Sequence, residues 1–269
     1  HRRYVPPDPT MLQTLLAGDH RLEYCLIHAE TPVQGAPTLV FLHEGLGSVA
    51  LWKRFPTEVA AATGCPALVY SRYGYGKSDK LAAPRKVDYM HREALDVLPE
   101  ILAQLRIDDP VLVGHSDGAS IALIHAGSGR RLVSGVVAMA PHVFVEDATV
   151  RSIAEAGEIF RATDLPERLG RYHDDVASTF RGWNDIWLHP DFRRWNIEEY
   201  LAGVRCPLLV IQGEDDQYGT RAQIEAIARQ VSGPVETLLL PDCAHSPHQS
   251  LQKDATVAAI TTFVRKLIA

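Results

Sequence analysis

Cysteine is scarce. The 269 residues hold four, Cys25, Cys65, Cys206 and Cys243, far apart and without a CxxC or other metal-ligand spacing. This argues against a disulfide-stapled scaffold and against a thiolate-held zinc. Their neighbours are apolar or proline, as in YCLI, GCPALV and RCPLLVI, so the expectation is buried, reduced thiols beside strands and a cytoplasmic location. No apolar run approaches the roughly 18 residues of a membrane helix. The opening HRRYVPPDPT has no signal-peptide core, although a chain that begins at His1 leaves a removed leader open. Basic residues number 27 against 33 acidic ones, with no long basic run, so neither nucleic acid nor a membrane is the expected partner. A dinucleotide fingerprint, a paired histidine-ligand spacing, internal repeats and low-complexity tracts are all absent, so no cofactor and no metal are expected.

What remains is an ordinary globular composition, 46% hydrophobic and 22% charged. A chain of this length buries roughly three quarters of its unfolded surface, enough for a deep pocket. Short apolar runs at 22–27, 38–43, 67–70, 110–114, 132–140, 207–213 and 235–240 alternate with helical patterns at 51–62, 89–105, 116–126, 221–231 and 255–268. The runs are continuous rather than alternating, which requires cover on both faces. The fold class is therefore α/β, a mostly parallel central sheet flanked by helices. From 142 to 204 the strand rhythm stops, and Trp- and Arg-rich helical sequence takes its place. The expected organisation is a core of 1–141 and 205–269, with a helical cap of 142–204 inserted at the carboxyl edge of the sheet.

The stretch most informative for chemistry is Gly114-His-Ser-Asp-Gly118, a G-x-S-x-G pattern with an apolar run before it and a helical run after it. A strand-to-helix turn this tight needs residues without side chains two positions before and after the serine. It would raise the Ser116 hydroxyl at a helix N-terminus, where negative charge is favoured. A neutral serine needs a base and an orienting carboxylate. The run LLVIQGEDD offers Asp216 at a strand end, and LLLPDCAHSPH offers His245 after the next strand. Asp215, Glu146 or Asp147 remain alternative acids, and His248, read as a rim or surface residue, an alternative base. Two backbone N–H groups should form an oxyanion hole: that of Asp117, after the nucleophile, and that of Gly45, in the Gly-rich HEGLG loop.

With HEGLGS, SRYGYGKSD, GHSDG, GEDD and AHSPH in this order, the chain resembles the α/β-hydrolase superfamily in its capped, carboxylesterase-like branch, over nearly its whole length. The resemblance places the cap after the sixth strand and maps the acid to Asp216 and the base to His245. It also implies a serine hydrolase, a catalytic triad of Ser116, Asp216 and His245, and a nucleophile elbow at Ser116.

Two departures stand out, because the family usually has Gly at Glu44 and Met, Gln or an aromatic residue at Asp117. Two carboxylates near the reacting centre would disfavour an anionic substrate, so a neutral or cationic acyl group is expected. The alternative is that both pair with Arg72 or another donor and only stiffen their loops. Trp183 and Trp187 share one helix face and are read as an aromatic wall or as cap packing, with Trp195 and Phe180 beside them. Tyr73 or Tyr75 is expected at the pocket mouth, and Arg193 and Arg194 on a solvated face. The expected substrate is a small to medium carboxylic ester, a small-molecule acyl compound, with a homodimer left open. Lactone, thioester or carbon–carbon bond hydrolysis in aromatic degradation would use the same triad. A receptor-like binding protein and a cofactor-free oxygenase or perhydrolase are the competing classes. Haloalkane and epoxide chemistry is disfavoured, because the enzymes resembling this fold that perform it carry Asp at the elbow.

Overall fold

The computed structural model describes residues 11–269, so the reading of HRRYVPPDPT lies outside the described residues. Eight strands form one sheet: β1 (Gln13–Ala17), β2 (His20–Ile27), β3 (Leu39–Leu42), β4 (Ala67–Tyr70), β5 (Val111–His115), β6 (Gly135–Met139), β7 (Leu208–Gly213) and β8 (Val235–Leu240). Their order is β1-β2-β4-β3-β5-β6-β7-β8. The pairs β1–β2 and β2–β4 are antiparallel, and every pair from β4 to β8 is parallel. The sequence runs gave every strand except β1. That strand is a half-exposed edge, with Leu16 pointing outward, so it lacks the continuous burial that marks the others.

The helices among the described residues are α1 (Phe55–Thr63), α2 (Tyr89–Arg92), α3 (Leu98–Gln104), α4 (Asp117–Ser128), α5 (Asp147–Ala162), α6 (Leu165–Leu169), α7 (Val176–Leu188), α8 (Arg221–Gln230) and α9 (Lys253–Ile268). A π-helical turn, Glu93–Val97, joins α2 to α3. Alternate strand residues serve two cores. Leu39, Phe41, Val69, Val113, Val137 and Ile211 pack with Val59 of α1 and Ile260 and Phe263 of α9. Val40, Leu42, Leu68, Leu112, Val136 and Val210 pack with Ile101, Ile121 and Ile227 on the other face. Each such fully buried Leu, Ile or Phe contributes about 1.5–3 kcal/mol relative to exposure.

From β3 the chain crosses to β4 on one side and returns to β5 on the other. Neighbouring strands thus lead their connections apart, and the carboxyl ends of β3 and β5 open a crevice, the preferred ligand position in such sheets. Leu42 lies beside Gly114 in register, so the residues that follow, His43-Glu44-Gly45 and His115-Ser116-Asp117, emerge side by side. Between β6 and β7 sits the helical insertion, containing α5, α6 and α7. Phe144 and Asn196 bridge at its neck. Its last turn, Glu198–Gly203, leaves the sheet edge and packs on α4, where Gly127 and Gly203 approach so closely that neither could carry a side chain. No helix among the described residues is long and apolar enough to cross a membrane.

Candidate active site

Ser116 sits at φ +53°, a left-handed conformation that a non-glycine residue adopts only when its surroundings enforce it. The two glycines permit this. A Cβ on Gly114 would lie 2.6 Å from the Ala119 Cα, and one on Gly118 would run into the Leu42 carbonyl. The Ser116 N–H donates to the Met139 carbonyl at 2.9 Å, which fixes the turn to the end of β6.

The Ser116 hydroxyl lies 2.9 Å from His245 Nε2. On the other side of that ring, Nδ1 is 2.9 and 3.0 Å from the two Asp216 oxygens. An ionised carboxylate only accepts, so Nδ1 carries the proton and Nε2 presents its lone pair to the serine. Asp216 also accepts from the Tyr218 N–H at 2.8 Å, and its side chain is 2% exposed. Burial opposes its ionisation, but the charge and hydrogen bond of His245, with the Tyr218 N–H, hold its carboxyl below the usual range. The loop that carries His245 is seated on β7 by the Asp215 N–H, which donates to the Cys243 carbonyl at 2.9 Å.

The alternative residues are engaged elsewhere. Asp215 is exposed. Glu146 accepts from the Thr220 N–H, the Thr220 hydroxyl and the Gln223 amide, tying the insertion's start to α8. Asp147 pairs with Arg193, which is half-exposed, while Arg194 faces solvent. His248 is not at the rim: it is 3% exposed and wedged between Trp52, Phe55 and the His115 ring.

A cavity of about 490 Å³ opens above Ser116. Gly45 and Asp117 line it, and neither of their backbone N–H groups donates to a protein acceptor among the described residues. Trp183 lies against Gly45, where a Cβ would collide with the indole. Trp183 and Trp187 form a wall of the cavity and also pack the insertion, Trp187 against Phe192 and Trp195, and Trp183 against Phe180. Leu46, Leu51, Ile153 and Leu169 add apolar lining beside the polar Thr149, Gln217, Ser246, Gln249 and Ser250, and no Lys or Arg among the described residues faces it.

Tyr73 is a correction to the sequence reading, because it does not line this cavity. Its ring stacks on His20 at 3.6 Å and its hydroxyl accepts from the Ala82 N–H, since the Gly-rich turn after β4 folds toward β2. Tyr75 is fully buried beneath the same turn. Among the cavity residues that escaped the sequence reading, His142 and Tyr218 lie against the Ser116–His245–Asp216 chain. The Tyr218 ring lies 4.7 Å from that of His245, and His142 Nε2 donates to the Tyr218 carbonyl at 2.8 Å. Their positions, one just past β6 and one two residues past Asp216, were the available signals.

Each of the two unusual carboxylates has a donor, and in neither case is it Arg72. Arg72 is buried and donates its guanidinium to the carbonyls of His43 and Glu44, while the His43 ring accepts the Arg72 N–H. Asp117, 1% exposed, accepts from the Tyr89 hydroxyl, which in turn accepts from Trp187 Nε1 at 3.2 Å. Glu44, one-fifth exposed at the cavity wall, pairs with His115 Nδ1 at 2.8 Å. Burial works against the Glu44 charge, yet the charge and hydrogen bond of His115, with His248 and His245 nearby, hold its carboxyl down at about 2.

The sequence pattern of the alpha/beta hydrolase family matches residues 39–259. The serine hydrolase BPHL of Mus musculus is 26% identical over 181 residues, 65% of this chain and 61% of that protein, so the match spans less than two thirds of the relative's length. Among solved structures, the proline iminopeptidase of Mycobacterium smegmatis superposes with a TM-score of 0.73 at 18% identity, over 95% of this chain and 98% of that one. The enol-lactonase from Burkholderia xenovorans LB400 also gives 0.73 at 18% identity, over 94% and 100%. The sheet order, the strained serine turn at the end of β5 and a sequence match over most of the chain agree, and this chain belongs to the alpha/beta hydrolase family.

Proposed function

We propose that the protein is a serine hydrolase that cleaves a small to medium carboxylic ester, with a neutral or cationic acyl group, through an acyl-enzyme on Ser116. The observation that carries this reading is the unbroken chain of hydrogen bonds from Ser116 through His245 to Asp216, opening into a cavity with two unengaged backbone donors. His245 takes the Ser116 proton as the oxygen attacks the ester carbonyl, and Asp216 stabilises the resulting imidazolium. The N–H groups of Gly45 and Asp117 receive the oxyanion, supported by the N-terminus of α4. His245 returns the proton to the leaving alcohol, then activates water to release the acid.

The lining supports this substrate class. About 490 Å³ lies within the 300–1,000 Å³ of small-molecule sites. Apolar walls suit an acyl chain, and a cavity lined by Glu44 and Asp117 with no cation leaves an anionic acyl group without a counter-charge. The names of the relatives, a serine hydrolase, a peptidase and a lactonase, share acyl transfer and differ in scissile bond.

Hydrolysis of p-nitrophenyl esters of graded acyl length, with a hemisuccinate ester as the anionic member, tests the reading. The expected result is turnover that peaks at short to medium chains, is weakest for the hemisuccinate and vanishes in Ser116→Ala. Turnover that persists in Ser116→Ala, or a folded protein inert toward every ester, would overturn it.

A further inference from the structure

His115 is 1% exposed and its ring touches three segments of the site. It belongs to the end of β5, directly before Ser116. Its Nδ1 faces the Glu44 carboxylate at 2.8 Å, on the loop that continues into Gly45. Its Nε2 faces the main-chain carbonyl of His245 at 2.8 Å. A carbonyl oxygen and an ionised carboxylate are both acceptors only, so the ring satisfies both contacts only when each nitrogen carries a proton. The ring is therefore an imidazolium, and its counter-charge is Glu44.

We propose that His115, charged and held by Glu44, is a positioning residue for the reaction proposed above: one ring fixes the oxyanion loop, the nucleophile strand and the base loop relative to each other. The inference rests on the reading of Ser116 and His245 as nucleophile and base. It goes beyond that reading because it gives a role to Glu44, the residue that stands where the family usually has glycine.

Loss of one proton undoes the arrangement in a definite way. A neutral His115 has a single N–H, and the ionised Glu44 takes it, because a charge-assisted bond is the stronger of the two. The bare Nε2 lone pair then faces the His245 carbonyl, two acceptors in a buried contact, and the base loop is pushed from its seat. A displacement of about 1 Å at a reacting group costs on the order of 10²-fold in rate.

Titratable and charged groups surround His115 on every side. His248 packs on it edge-on at 4.7 Å and is held neutral, well below its ordinary value, by burial and then by the charge of His115 itself. His43, on the Glu44 side, is likewise held neutral by burial and Arg72; its Nε2 accepts the Arg72 N–H, so Nδ1 donates to the Glu44 carbonyl. The His245 ring lies 5.1 Å away, with Asp216 behind it, and Lys253 lies beyond His248. Burial opposes the charge on His115, but Glu44, its hydrogen bond, the His245 carbonyl and Asp216 raise the ring above its ordinary value. The pair is therefore lost as pH rises through the raised folded value of His115.

Histidine side-chain ¹⁵N NMR over pH 5–10 tests the charge without reference to activity, with His115→Gln assigning the signal. The expected result is a doubly protonated His115 at pH 7 that titrates on the alkaline side in the wild type and at least one pH unit lower in Glu44→Gln. Ester-hydrolysis profiles, or fluorophosphonate labelling rates if no ester is turned over, then test the consequence. Glu44→Gln should lower kcat or the labelling rate about tenfold, leave KM nearly unchanged and remove the alkaline decline, because its amide N–H donates to Nδ1 of a neutral ring and leaves Nε2–H for the His245 carbonyl. His115→Gln should abolish that decline. A His115 ring that is neutral at pH 7 in the wild type, or a Glu44→Gln profile that superposes on the wild type, would overturn the proposal. Failure of ester turnover alone, with the NMR behaviour intact, would count against the ester reading and not against the clamp.

Discussion

On the β7 side of Ser116, a carboxylate meets an imidazole whose far nitrogen faces a hydroxyl. On the β3 side, a carboxylate meets an imidazole whose far nitrogen faces a carbonyl. The first pair is Asp216 and His245, the second Glu44 and His115, and both carboxylate contacts are 2.8–2.9 Å long. A hydroxyl can donate, so Nε2 of His245 can keep a lone pair for a proton. A carbonyl cannot, so the His115 ring is charged and has no lone pair to offer. Residue type is the same in both pairs, and the atom at the far end suits one ring to the proposed base and the other to the proposed strut.

The largest difference between the two pairs should appear on replacing His245 or its carboxylate. His245→Gln should lower kcat by about 10⁶, and Asp216→Asn by about 10⁴, as in other triads of this kind; stopped assays on a p-nitrophenyl ester read both. A loss at His115 as large as that at His245 would erase the distinction between base and strut.

The second effect is on stability. The depressed Glu44 contributes fully above its ordinary value of 4.5, and its contribution fades as pH falls toward about 2. The raised His115 contributes fully below its ordinary value of 6.5, and its contribution is lost as pH rises through its folded value. The pair is thus worth most between pH 4.5 and 6.5. Urea unfolding of wild type against Glu44→Gln should show its largest difference there, narrowing toward both acid and alkali. A difference that is flat with pH would contradict the ion pair.

The smallest effect should come from Asp117→Asn. Its carboxylate accepts from the Tyr89 hydroxyl, burial and the Asp117 charge keep that phenol protonated, and an amide oxygen accepts as well. Turnover of a neutral ester should change by less than about threefold.

The parts of the molecule that were legible in the sequence are those whose cause is local. Ser116 between Gly114 and Gly118, the acid run closing β7 and the His-x-Pro after β8 each carry their geometry in a few neighbouring residues. The parallel strands were readable because burial on both faces writes a continuous apolar run. β1 was not, because a half-exposed edge writes none. Tyr73 and His248 were misplaced for a related reason. Where a Gly-rich turn or a 3₁₀ turn points its side chains depends on β2 and on Trp52 and Phe55, which are distant in the chain. The Glu44–His115 contact joins two loops that only the β3–β5 register brings together, so sequence marked Glu44 as unusual without naming its partner.

Intact-protein mass spectrometry after exposure to a fluorophosphonate, with the adduct located by peptide mapping, reads whether His245 activates Ser116. One adduct, confined to Ser116, should form rapidly in the wild type, about tenfold more slowly in Glu44→Gln and not at all on the same timescale in His245→Gln. Labelling of His245→Gln at the wild-type rate, or no adduct on the folded wild type, would overturn the assignment of Ser116 as nucleophile and His245 as base.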